Sequence, residues 1–416
     1  MKKRVLLVAA NLNNDSQFAY SLQELRRMSE SMDYKIIGEF VQNIKQINEN
    51  YYIGQGKIEE LANAIKFYNA ELVIFDNELT PSQFSNISEK LSCEVLDRTG
   101  LILNIFASRA TTYEAKLQIQ IAKLQYELPR LRDEDADYSQ QVGGGARNKG
   151  EGEKQIQLVK NRLRRQIHRY EVELENIKKN RSHIRKRRGK NEIPQVALVG
   201  YTNSGKSTIM NRFVKEYGVN ENKTVIQKDM LFATLETYSR KITLPQNLNF
   251  ILKDTVGFIS NLPTFLIKAF RSTLEEALDS DLLVIVVDSS DPNIDAQLEI
   301  TVSTLEELGI GETPVIFVFN KNDIQFSNDY DLYQNKISMS ALKDENLFPL
   351  INEIKKHIFK DYNSVSLYIP YDNISDYYHI NAEHCILNRI EDNEGILIRV
   401  YGPKFIKDKY QKYVIE

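Results

Sequence analysis

The stretch QVALVGYTNSGKST, Gln195 to Thr208, limits the possible fold more than any other part of the chain. An apolar run leads into the pattern Gly200-x-x-x-x-Gly205-Lys206-Ser207, and a helical pattern follows. A glycine-rich loop of this spacing works between a buried strand and a helix N-terminus, where backbone N–H groups converge on phosphate oxygens. The chain must therefore contain an α/β layer with a mainly parallel sheet. In that loop Gly200, Tyr201, Thr202, Asn203, Ser204, Gly205 and Thr208 are candidate nucleotide-binding residues. Lys206 is expected to reach the terminal phosphates, and Ser207 to ligate Mg²⁺.

The loop alone does not separate adenine from guanine. The tetrad NKND, Asn320 to Asp323, follows the apolar run PVIFVF and does separate them. The Asp323 carboxylate can accept from both the N1–H and the exocyclic amine of guanine, a paired donor edge that adenine lacks. Asn320 is expected to tie this loop to the phosphate loop and the base, and the stem of Lys321 to cover the ring. SMSAL follows the next strand; it contributes Ser338, Ser340 and Ala341, whose N–H can donate to guanine O6. DTVGF supplies Asp254, Thr255, Val256 and Gly257: the carboxylate is expected to hold Mg²⁺ through water, and the Gly257 N–H to meet the γ-phosphate. Thr234 in LFATLET is the leading switch threonine for Mg²⁺, with Thr224 and Thr237 as rivals. Lys206, Thr234 and Gly257 thus form the expected catalytic set for GTP, leaving GDP.

Phe258 stands where related switches carry a glutamine that orients the attacking water. A benzyl group cannot hydrogen-bond to water, so unaided turnover is expected to be slow and to depend on a docking partner. Asn203 leaves two readings open. It can help hold a K⁺ that replaces an arginine finger, or it can simply suit a tight turn.

The remaining sequence places this site within a multidomain α/β chain. Residues 1–108 alternate strand runs (RVLLVAA, YKIIGEFV, ELVIFD, CEVLD) with helical patterns, as an N-terminal α/β domain should. Residues 109–190 read as an antiparallel helical hairpin. Leu117, Ile121, Leu124, Leu128 and Leu131 form one apolar stripe, and Ile156, Leu163, Ile167, Tyr170, Leu174 and Ile177 form another, with Lys160 in the seam. DEDADYSQQVGGGARNKGEGE is expected to be a loop at the tip, and RSHIRKRRGK a linker. Residues 194–360 form the nucleotide-binding domain, and 363–416 a small C-terminal α/β domain. Between Arg147 and Lys190 there are 16 Lys and Arg against five Asp and Glu, in a chain whose net charge is −3. Such a local excess points to a polyanion contact. His379, His384 and Cys385 lie close in sequence, but lack the second cysteine pair of a structural zinc site, so structural roles are expected. With two cysteines and no apolar run of membrane-spanning length, the expectation is a cytoplasmic protein with no membrane partner, and a monomer.

YIGQGKIEEL (52–61), DRTGLILNIFASRATTYEAKLQIQIAKLQYELPRLR (97–132), DTVGFISNLP (254–263) and FRSTLEEALDSDLLVIVVDSSDP (270–292) together resemble the HflX family of ribosome-splitting GTPases. The resemblance implies binding to the 50S ribosomal subunit, with the hairpin reaching rRNA near the peptidyl transferase centre. It further implies splitting or rescue of 70S particles, and GTP hydrolysis stimulated by the ribosome. A GTP-switched RNA-binding module or assembly factor without splitting activity is the alternative. One place departs from the family. The tip GGARNKGEGEKQIQ has Lys149 where the family carries arginine, Glu151 for proline and Gln157 for glutamate. Lysine keeps the charge but loses the planar fork, and Glu151 adds a negative charge where phosphates are expected.

Overall fold

The computed structural model describes residues 2–131, 149–188, 193–218, 238–260, 263, 265–266, 280–311, 313–324, 335–343 and 347–415. They form a mixed α/β chain that divides into two compact units.

The first unit is built on a four-stranded parallel sheet of β1 (Arg4–Leu12), β2 (Lys35–Ile44), β3 (Leu72–Phe75) and β4 (Glu94–Asp97), in the order β2-β1-β3-β4. Val5 to Val8 and Leu72 to Phe75 are fully buried, the continuous apolar signature of a sheet covered on both faces. Between the strands run α1 (Phe18–Ser31), α2 (Gln55–Tyr68) and α3 (Pro81–Leu91). The last starts at a reciprocal capping box between Thr80 and Gln83, with Pro81 in its first turn. From β4 the chain enters α4 (Arg98–Arg109), whose cap is the Asp97 carboxylate accepting from the Gly100 N–H at 2.8 Å.

The adjacent pair Asp97 and Arg98 anchors two separate buried charge networks. Asp97, fully buried, also accepts from the Tyr126 hydroxyl at 2.7 Å and Arg130 Nη2 at 3.0 Å. Burial and the Asp97 charge push the Tyr126 phenol above its ordinary value. Arg98 is only 2% exposed and lies between Glu24 and Asp76, with Nη1 2.6 Å from Asp76 Oδ1.

α5 (Tyr113–Glu127) and α6 (Lys149–Arg188) make the antiparallel hairpin. Ile121 and Leu124 bury against Ile167, flanked by Leu163, Tyr170 and Leu174, while Tyr113 bonds Glu173 at 2.5 Å. These contacts are the middle of the two stripes read from the sequence; Leu128 and Leu131 of the first stripe lie beyond α5, where Pro129 turns the chain into a short 3-10 segment (Leu128–Arg130). Both ends of α6 differ from that reading. The helix already contains Lys149 to Glu153, expected in the tip loop, and continues through Arg181 to Arg188, expected as linker. Gly150 and Gly152 each disfavour a helix by only about 1 kcal/mol, and Arg and Lys are good helix formers. The remainder of the tip lies outside the described residues.

In the second unit a six-stranded sheet runs β10 (Lys336–Ser338), β9 (Val315–Asn320), β8 (Leu282–Asp288), β5 (Gln195–Val199), β7 (Leu248–Asp254), β6 (Tyr238–Leu244). Its neighbours are parallel except β6, an antiparallel edge that the sequence reading missed. α7 (Lys206–Tyr217), α8 (Ile294–Glu307) and α9 (Phe348–Ile358) accompany this sheet. Phe213, Phe250, Leu252 and Val284 are among the residues of its core. The C-terminal segment adds an antiparallel sheet of β11 (Tyr362–Pro370), β13 (Gly395–Pro403) and β12 (Cys385–Glu391), with α10 (Ile374–Glu383) and α11 (Phe405–Lys409).

Candidate nucleotide site

The phosphate loop leaves the carboxyl end of β5, the central position where doubly wound sheets place their ligands. Two of its glycines are dictated by conformation. Gly200 has φ +140 and a Cβ there would lie 2.2 Å from the Val286 carbonyl; Gly205 has φ +99 and its Cβ would lie 2.0 Å from Asn320 Nδ2. Asn203 has φ +62, in the left-handed region that asparagine tolerates better than most residues, so the turn alone accounts for it.

Lys206 is 94% buried and folds back onto its own loop, donating to the Gly200 carbonyl at 3.0 Å and the Tyr201 carbonyl at 2.6 Å. Burial lowers its pKa to about 8, Asp254 opposes that fall, and the Lys321 charge adds to it. The first residue of the metal pair is equally well placed: Ser207 Oγ donates to Asp254 Oδ2 at 2.6 Å. A hydroxyl and a carboxylate are hard oxygen donors of the kind Mg²⁺ prefers. Among the described residues the buried hydroxyls of Thr202 and Ser204 have no hydrogen-bond partner, and a Cβ on Gly257 would lie 2.8 Å from Thr202 and 3.0 Å from Lys206 Nζ. The donor set and this close-fitting cradle suit a phosphate–Mg²⁺ group, with Ser207 and Asp254 as its protein holders. The metal would supply charge neutralisation at the phosphates.

DTVGF is strapped to the loop by its backbone. Thr202 N–H donates to the Phe258 carbonyl at 2.8 Å, and Phe258 N–H to the Gly200 carbonyl at 3.0 Å. The Thr255 hydroxyl donates to the Leu198 carbonyl at 2.7 Å, and Val256 is buried. The Phe258 ring is 4% exposed, so it is part of the packing. Thr208 opens α7 beside Ser207. Thr234 and its rivals Thr224 and Thr237 lie outside the described residues.

Asn320 joins the two halves of the site. Its Nδ2 donates to the Ser204 carbonyl at 2.8 Å and its Oδ1 accepts from the Ala341 N–H at 2.8 Å. The first bond is the tie to the phosphate loop read from the sequence. The second occupies the N–H expected to serve guanine O6, so a base taking it must share it with Asn320. Asp323 is exposed, and a hydrogen bond from Ser340 holds its carboxyl below the ordinary carboxylate range, with Lys343 and Lys321 assisting. Ser338 faces the same loop, its hydroxyl accepting from Asn322 Nδ2 at 3.4 Å. Arg212 of α7 braces the Ser340 loop through the Lys343 carbonyl at 2.6 Å.

The other sequence cluster does not assemble a site. His379 is exposed on α10, Cys385 is buried in the core of the large sheet, and burial lowers the His384 pKa. Among the described residues no group of three or more His, Cys, Asp and Glu could hold a metal, and no helix is long and apolar enough to cross a membrane.

A phosphate loop on β5, an aspartate at the end of β7 and an Asn-Lys-x-Asp loop after β9 define a P-loop GTPase. Comparison with known proteins narrows the class. Residues 19–107, 109–188 and 195–321 match family models described as GTP-binding GTPase N-terminal, GTP-binding GTPase Middle Region and 50S ribosome-binding GTPase. The GTPase HflX of Caldanaerobacter subterraneus is 37% identical over 418 residues, covering 100% of this chain and 94% of the relative. That of Escherichia coli K12 is 35% identical over 356 residues, covering 84% and 82%. A GTP-binding protein from Sulfolobus solfataricus, solved with GDP, is 28% identical with a TM-score of 0.48, covering 86% of this chain and 99% of that one. The chain belongs to the HflX family of GTPases.

Proposed function

We propose that this GTPase docks on the 50S ribosomal subunit in its GTP-bound form, contacts rRNA near the peptidyl transferase centre through its hairpin, and splits or rescues 70S ribosomes in the cytoplasm. Asp323 reads the guanine edge, Asn320 and Lys321 support it, and Ser207 and Asp254 hold Mg²⁺. Lys206 and the Gly257 N–H meet the γ-phosphate, and Thr234 completes the metal shell. Hydrolysis is stimulated by the ribosome and favours release. The observation that carries this reading is a GTPase site joined, in one chain of this family, to a 40-residue helix rich in Lys and Arg. Phosphate neutralisation dominates the affinity of such a helix for RNA. The buried Phe258 ring supports dependence on a partner, because no glutamine stands at that position to orient water.

The test measures GTP hydrolysis with and without 50S subunits, following 70S dissociation by light scattering in the same samples. Stimulation with splitting is expected. Stimulation without splitting would favour the RNA-binding switch, and no stimulation would remove the ribosome from the reading. Running the assay in K⁺ and in Na⁺ tests Asn203: equal rates in the two salts leave it as a turn residue only.

A further inference from the structure

The turn that leaves β8, Asp288-Ser289-Ser290, grips the Asn320–Asp323 loop through both backbone and side chain. Register brings this about, since Asp288 pairs with Asn320 across the parallel β8–β9 ladder. The Asn320 carbonyl accepts from the Ser289 N–H at 2.9 Å and from the Ser289 hydroxyl at 2.6 Å. One position further on, Lys321 Nζ donates to Asp288 Oδ2 at 2.6 Å. The other carboxylate oxygen is occupied too: Asp288 Oδ1 accepts from the Ser290 N–H at 3.0 Å and its hydroxyl at 2.6 Å. The carboxylate is thus held at one oxygen while it presents the other to the lysine.

Lys321 needs holding for two reasons. Its φ is +64, a left-handed conformation that a residue with a long side chain adopts only where its surroundings enforce it. Its charge also reaches Lys206, whose ammonium it disfavours. A Lys321 released from Asp288 would be a second mobile cation beside the phosphate site. The pair is 19% and 13% exposed, so solvent screens it less than a surface pair.

We propose that Asp288 is a positioning residue for base recognition. It anchors the Lys321 ammonium so that the lysine stem lies over the base, and together with Ser289 it sets the turn from which Asp323 meets the guanine edge. This rests on the reading of Asn320–Asp323 as the guanine-recognition loop.

The experiment is a double-mutant cycle on the full chain with Asp288→Ala, Lys321→Ala and both together, titrating fluorescent GDP and, by competition, inosine diphosphate and ADP. Inosine lacks the 2-amino group and therefore reports how well Asp323 is placed. Each single variant is expected to weaken GDP by roughly five- to tenfold, the size of one ordinary net hydrogen bond. The double variant should be no more than about twofold worse than the poorer single one, because the two residues act as one unit. Asp288→Ala should also reduce the preference for GDP over inosine diphosphate. Asp288→Asn, which keeps an acceptor and the residue's size, should recover part of both losses. Multiplicative losses in the double variant, or an unchanged preference between the two nucleotides, overturn the proposal. If Lys321→Ala weakens GDP and Asp288→Ala does not, this inference alone fails. If the wild type binds ADP as well as GDP and Lys321→Ala changes nothing, the base-loop reading falls and takes this proposal with it.

Discussion

Replacing the phosphate-loop lysine should stabilise the empty protein while abolishing its function. Lys206 is buried with its ammonium bonded to carbonyls of its own loop, and burial lowers its pKa from the ordinary 10.5 to about 8. At about 1.4 kcal/mol per pH unit, keeping that ammonium charged in the fold costs about 3 kcal/mol at neutral pH, as an upper bound. Lys206→Met keeps the length and removes the charge. It also removes two hydrogen bonds, each contributing about 1 kcal/mol. The Gly200 carbonyl keeps a second donor in the Phe258 N–H at 3.0 Å, which limits that loss. The net expectation is a gain of about 1 kcal/mol, a rise of a few degrees in the melting temperature of the nucleotide-free protein. The pH dependence is the sharper test. The folded pKa lies below the unfolded one, so between about 8 and 10.5 the unfolded chain binds more protons and wild-type stability rises with pH. The advantage of the methionine variant should be complete below pH 8 and shrink as pH approaches 10. Melting curves of both proteins without nucleotide, from pH 7 to 10, measure this directly. A variant less stable than wild type at pH 7, or a difference that ignores pH, would refute the reasoning. Nucleotide binding should behave in the opposite sense, weakening above pH 8 as the lysine loses the proton it offers to the phosphates.

Asp323→Asn should weaken GDP by about a hundredfold or more and improve xanthosine diphosphate, since the amide now donates where the carboxylate accepted; competition titration of the two nucleotides checks it. Gly205→Ala should eliminate nucleotide binding and lower the melting temperature, because the new Cβ would stand 2.0 Å from Asn320 Nδ2 at a φ of +99; a variant that binds GDP normally contradicts this. Arg98→Ala should destabilise the first unit by about 3–5 kcal/mol, leaving Glu24 and Asp76 buried without their cation. Urea denaturation reads the last effect, and a change below about 1 kcal/mol would mean that water reaches those carboxylates.

What was legible in the sequence follows from which partner each residue serves. Gly200, Gly205, Lys206, Asp254, Asn320 and Asp323 form the motifs of the proposed nucleotide site, and the fixed chemistry of such a ligand sets a spacing along the chain that carries the signal. The hairpin was legible for a similar reason: Ile121, Leu124 and Ile167 repeat with the period of a helix seam. Residues that serve other residues left no such mark. Asp288 grips Lys321 only because β8 and β9 pair in one register, and Arg98 meets Asp76 and Glu24 across 22 and 74 positions. α4 carries no amphipathic signature in the sequence, because Leu101, Ile102, Leu103, Ile105 and Phe106 are all buried, which erases the period that marks a helix. β6 was recoverable, since its last residues alternate with Ile242 and Leu244 inward, but its polar start hid the strand. The length of α6 was misread at both ends by treating two glycines and a run of charge as punctuation. Helix propensity favours Arg and Lys, and a 40-residue helix tolerates two glycines near one terminus at a cost of about 2 kcal/mol. The extra turns run through Arg181 to Arg188, which the sequence assigned to a linker, as regular helix continuous with the rest of α6.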